Sequence, residues 1–177
     1  MIRKETCIVE TQQKLYRLTL TALFAAAIAV MTAYLLHIPI PGGYIHLGDS
    51  LIYLAACLLP LPYAVAASAI GAGLADLLTA PMWVIPTLII KALTVLPFTN
   101  RKERILCPRN CLAIFVASLI SSVSYGLAAW AMFVDAKAFL PQFIGTLVQS
   151  AGSGAIFVVF SLAMDGTKMK ARLATKM

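Results

Sequence analysis

Three residues stand inside otherwise apolar runs: Asp76, Lys91 and Gln149. A charge or an amide there is costly unless it faces a cavity or a partner. A lysine side chain can extend along its own helix, which brings an ion pair between Lys91 and Asp76 within reach. Such a pair either fastens two helices together or forms the polar floor of a pocket. The stretch 39–50 places Tyr44, His46 and Asp49 between two hydrophobic runs, where Pro39 and Pro41 resist helix and Gly42 and Gly43 permit a sharp turn. Asp49 with Ser50 suits a helix N-cap, and His46 reads either as a ligand contact or as a solvated loop residue. Tyr125 and Trp130 serve either to stack on a flat ring or to sit in an interfacial belt. Gln149 finds its partners either on another helix or on a ligand. The chemistry on offer is recognition, a few converging polar groups and aromatic faces suited to a flat heteroaromatic molecule.

Catalysis finds less support. Ala151-Gly152-Ser153-Gly154 lacks the Gly-x-Ser-x-Gly frame of a serine nucleophile. The two histidines and the scattered carboxylates show no ligand spacing, and Cys107 and Cys111 stand at the wrong interval for a zinc pair, so no metal and no cofactor is expected. No Gly-x-x-x-x-Gly-Lys-Ser/Thr loop occurs, so any ATP hydrolysis belongs to a partner.

The elements that position these residues are membrane spans. Of 177 residues, 61% are hydrophobic and 12% charged, a composition outside the soluble range. Net charge is +7. The basic residues cluster at 1–17, 99–110 and 168–176, and short loops rich in Lys and Arg remain cytoplasmic. That rule explains the clusters without a nucleic acid. Spans are expected at 15–37, 50–59, 62–79, 82–98, 112–133 and 142–164. The thirty residues 50–79 are read as two short spans parted at Pro60 and Pro62, because two crossings put every basic cluster on one side. The expected fold is therefore all-α, with six transmembrane helices and both termini cytoplasmic. Its parts are an N-terminal segment 1–14, a membrane domain 15–165 and a basic tail 166–177. In the first span Ala22 with Ala26, and Ala25 with Ala29, form small-xxx-small pairs that let a second helix approach closely.

Gly43-Tyr44-Ile45-His46-Leu47-Gly48-Asp49, Ala75-Asp76-Leu77-Leu78 and Pro86-Thr87-Leu88-Ile89-Ile90-Lys91-Ala92 resemble the substrate-binding S components of bacterial energy-coupling factor (ECF) transporters. The resemblance spans about residues 15–165. It is nearest the subgroup for hydroxymethylpyrimidine, pyridoxine and riboflavin-type vitamins. It implies a vitamin site near the outer face of the bacterial cell membrane, with hydroxymethylpyrimidine or another thiamine precursor first among the substrates, then pyridoxine or riboflavin. It implies that Tyr44, His46 and Asp49 belong to a lid and that Lys91 and Trp83 belong to the helix-four wall. It implies that Ala22, Ala25, Ala26 and Ala29 dock a transmembrane T component, which carries two ATPase subunits and lets the S component topple to deliver its cargo. Leu59-Pro60-Leu61-Pro62 departs from the glycine-containing turn the resemblance suggests. Two other classes fit the composition: an autonomous proton-coupled secondary transporter using Asp76 and Lys91, against which the absence of inverted repeats counts, and a structural membrane protein without a ligand.

Overall fold

Small residues in two apolar runs let their helices lie close, and the bundle is built on that contact. The computed structural model describes the backbone of residues 2–35, 38–40 and 43–175, and the side chains of residues 10–35, 46–173 and 175. Helix α1 (Ile2–Ala33) packs along α3 (Leu61–Thr79). Gly71 marks the tightest point, where a Cβ would sit 2.6 Å from the Ala25 carbonyl oxygen and 2.9 Å from Ile28 Cβ. Helix α1 begins at Ile2, so the polar residues expected to precede the first span are its own first turns.

After α1 the chain forms a short hairpin, β1 (Ile38–Ile40) antiparallel to β2 (Gly43–Ile45), with Pro39 opposite Tyr44. Helix α2 (Asp49–Leu58) follows. Leu59 is extended and Pro60 caps α3, whose second residue is Pro62. Proline tolerates the first turn of a helix and stops the one before it, so the chain reverses here without a glycine. A single 3-10 turn (Pro81–Trp83) leads into α4 (Val84–Val95), and α5 (Pro108–Phe133), α6 (Phe139–Gly166) and the short α7 (Met169–Ala174) complete the chain. Helix α6 starts three residues earlier than expected and takes Pro141 into its first turn, and the expected basic tail folds back as α7 against α6 and α2.

Among the described residues, four helical stretches are long and apolar enough to cross a membrane: Glu10–Ala33, Leu61–Thr79, Pro108–Phe133 and Ala136–Gly166. Asp49–Leu58 and Pro81–Val95 are apolar but shorter. Ten helical residues rise about 15 Å, half of a hydrocarbon core of about 30 Å. Helix α2 escapes the mismatch by burial, since every residue but Leu51 is enclosed by its neighbours. Tyr53 on α2 stacks on Phe98 at 5.0 Å between centroids and meets Phe157 edge-on at 5.9 Å. Outside this core, Leu23, Ile85, Phe115 and Val159 are exposed, the pattern of a surface solvated by lipid. The chain is a multi-pass membrane protein.

The basic end of the bundle is held by polar contacts with the backbone. Asn110, fully buried at the start of α5, donates to the carbonyls of Thr99 (3.0 Å) and Ile105 (2.9 Å) and accepts from the Thr99 N–H (2.9 Å). Asp165 near the end of α6 accepts from the N–H groups of Ile105 (2.8 Å) and Leu106 (3.0 Å). The loop between α4 and α5 is thus closed on one amide and one carboxylate side chain instead of on a ladder of its own.

Candidate ligand-binding site

Three helices each bring polar or aromatic residues to one face at helical spacing. Helix α4 with its leading turn offers Trp83, Thr87 and Lys91 at intervals of four; α6 offers Gln142, Thr146 and Gln149; α3 offers Ala72 and Asp76. With His46 and Tyr125 these residues line one cavity, open at its mouth. It lies where α1 and α3 end and where α4 and α6 begin, the end of the bundle opposite the loop 96–107 and α7.

Lys91 is the deepest charge. Its Nζ donates to Asp49 Oδ1 at 2.6 Å, and both side chains are buried, 1% and 2% exposed. Gln149 Nε2 donates to Asp49 Oδ2 at 3.1 Å, so both carboxylate oxygens are engaged. Lys91 Nζ also lies 5.2 Å from the centroid of the Tyr125 ring, within cation–π range. Ser68 Oγ donates to the Lys91 carbonyl at 3.2 Å, tying this turn of α4 to α3. The pairing of Lys91 with Asp76 expected from sequence is corrected: the lysine turns to the first residue of α2, and Asp76 lines the cavity. The capping role of Asp49 is corrected for the same reason. Gly48 takes the N-cap position without a side-chain bond, while the Asp49 carboxylate is drawn inward by a charge that a backbone N–H cannot match.

Aromatic residues form the wall. Trp83 is buried and its ring lies 5.7 Å from that of Tyr125, whose hydroxyl meets Thr87 Oγ1 at 2.7 Å. His46 is buried as well, and its Nδ1 accepts the Gly48 N–H at 3.0 Å, which leaves Nε2 as the donor position of the neutral ring. A side chain at position 48 would collide with Thr32 and His46, so glycine there is what lets the segment before α2 approach α1. Trp130, expected among the ligand-facing aromatics, is 51% exposed and does not line the cavity. It lies five residues past Tyr125 on α5, well off the inward face. The side chain of Tyr44 lies outside the described residues.

The four alanines of α1 divide. Ala22 and Ala26 are exposed, whereas Ala25 is buried against Gly71 and Ala29 is half-buried. The expectation that all four form one docking face is corrected, because Ala25 is taken up in the contact with the protein's own α3. Sequence reasoning missed Thr32, Ala72, Thr87, Gln142 and Thr146. The intervals of four leading to Lys91, and of four and three leading to Gln149, were the available signal. Among the described residues no group of His, Cys, Asp and Glu could hold a metal ion.

What the arrangement can do is hold a small molecule against the aromatic wall of Trp83 and Tyr125 while His46, Asp76, Gln142, Thr146 and Gln149 offer hydrogen-bonding groups of both kinds. Residues 12–165 match the model of a family described as ECF-type riboflavin transporter, S component. No curated protein matches the chain.

Proposed function

Because the chain belongs to the ECF-type riboflavin transporter S component family, a family of substrate-binding subunits of vitamin transporters, we propose that it captures a flat N-heteroaromatic vitamin in the cavity between α3, α4 and α6. The single observation carrying this reading is that cavity: an aromatic wall of Trp83 and Tyr125 beside polar groups fixed from below by the buried Lys91, Asp49 and Gln149 cluster. Rigid floor and flat wall together select shape and hydrogen-bonding pattern. The motifs at 43–49, 75–78 and 86–92 favour a one-ring pyrimidine or pyridine, hydroxymethylpyrimidine before pyridoxine. A second reading, riboflavin, is favoured by the description of the family.

The proposal extends to topology and partners. Six crossings leave both termini and the loop 99–110 in the cytoplasm, where their Lys and Arg belong, and open the cavity to the outside of a bacterial plasma membrane. Tyr44 and His46 act as the lid, whereas Asp49, expected with them, is buried against Lys91 and Gln149 and does not line the cavity. Ala22 and Ala26, exposed on α1, present the small-residue face to a T component bearing two ATPase subunits, and those partners supply the energy that this chain lacks a phosphate loop to provide. Reconstitution into liposomes with a T component and its ATPases tests the reading: accumulation of labelled vitamin that requires ATP supports it. Accumulation by this chain alone, abolished by a proton uncoupler, would instead make it a secondary transporter.

A further inference from the structure

At the opposite end of the bundle the loop 100–104, the end of α6 and α7 enclose a second hollow. Five cationic side chains line it: Arg101, Lys102, Arg104, Lys168 and Lys170. Two carboxylates face them, and one of these is already committed, since both oxygens of Asp165 accept backbone N–H groups from Ile105 and Leu106. None of the five cations makes an ion pair among the described residues. Four of them are exposed, but Lys170 is 7% exposed, and its buried Nζ donates to no acceptor among the described residues.

A positive-inside surface needs only exposed charges, each solvated by water. It does not call for an ammonium folded beneath the bundle that makes no direct ion pair or hydrogen bond among the described residues, a costly arrangement even with Asp165 nearby. Helix α7 carries Lys170 there by packing against both α6 and α2. The Arg101 and Arg104 guanidiniums add planar forks of donors at the rim, a geometry matched to the oxygens of a phosphate group. We propose that this hollow binds a phosphate group, carried either by a soluble phosphate compound or by a phospholipid headgroup. Its occupant would join three separate parts of the chain, the loop 100–104, the end of α6 and α7, and so fix the basic end of the bundle. This site is independent of the vitamin cavity and stands or falls separately.

The test uses the full chain purified in a neutral detergent. Isothermal titration with inorganic pyrophosphate forms one arm; titration with dioctanoyl phosphatidylglycerol, against dioctanoyl phosphatidylcholine as control, forms the other. Saturable binding of pyrophosphate assigns the site to soluble phosphates. Binding of phosphatidylglycerol but not pyrophosphate assigns it to a lipid headgroup. In either case the double variant R101Q/R104Q, altered only at exposed side chains, weakens binding about tenfold or more, and Lys170→Gln does the same if it folds. Failure of both probes, equal binding of phosphatidylcholine, or unchanged binding in a folded R101Q/R104Q overturns the proposal.

Discussion

Lys91 Nζ lies 2.6 Å from Asp49 Oδ1, joining two residues 42 positions apart in a space neither shares with solvent. The pair fixes the first turn of α2 to the middle of α4, and with it the position of His46 at the cavity. Removing one partner of a buried pair leaves the other uncompensated, which costs about 3–5 kcal/mol. Lys91→Met is therefore expected to lower the thermal unfolding temperature of the detergent-purified protein sharply. Adding Asp49→Asn to that variant should restore part of the loss, because the neutral amide needs no counter-charge and its oxygen can still accept from Gln149. The pairing is refuted if Asp49→Asn changes nothing while Asp76→Asn reproduces Lys91→Met.

The two tryptophans differ in environment and should differ in effect. Trp83 is 4% exposed and lines the cavity, whereas Trp130 is 51% exposed on the outer surface of α5. Trp83→Ala removes a stacking surface and should weaken vitamin binding on the order of tenfold or more, and Trp130→Ala should leave it within about twofold. Affinities of the two variants measured side by side check this, and equal losses would place both aromatics in the same role.

Alanines three residues apart on α1 give a similar contrast. Ala25 packs against Gly71, so Ala25→Leu overfills the α1 and α3 contact and should destabilise by about 1–3 kcal/mol. Ala22→Leu and Ala26→Leu project from the bundle and should leave stability and vitamin binding intact while blocking assembly with a T component. Co-purification with the transporter core, read beside a thermal melt, separates the two outcomes. Undiminished assembly in Ala22→Leu would show that this face is lipid-facing only.

Lys170 gives a pH dependence. Burial pulls its ammonium below the ordinary lysine value of 10.5, and neighbouring Asp165 offsets this only in part. A lysine whose folded pKa is lowered destabilises the fold while protonated, and that penalty fades as pH rises through the folded value towards the unfolded one. In phosphate-free buffer Lys170→Met should raise the unfolding temperature at neutral pH, and the advantage over wild type should shrink as pH approaches 10.5. An advantage that grows with pH would contradict the assignment.

Much of the architecture was legible from composition and charge. Apolar runs of span length, and the clustering of Lys and Arg, located the helices and the basic end; Pro60 and Pro62 located the break between α2 and α3. The shortness of α2 made sense only once its burial was known, since length measured against a bilayer says nothing about shielding by neighbours. His46, Asp76, Lys91, Tyr125 and Gln149 do line the cavity. What sequence could not give was the partner of Lys91. Reach along a helix admitted Asp76, and choosing Asp49 depended on how a segment 42 residues away folds over α4. Ala25 was misjudged for a related reason, because small-residue spacing marks a close helix contact without saying whether its partner is inside or outside the chain.

The central claim is tested most directly by equilibrium binding of hydroxymethylpyrimidine, pyridoxine and riboflavin to the detergent-purified protein, with wild type beside Trp83→Ala. The account predicts that one of these vitamins binds wild type at one per chain and binds Trp83→Ala at least about tenfold more weakly. Binding of none of the three, or binding that Trp83→Ala leaves unchanged, would contradict it.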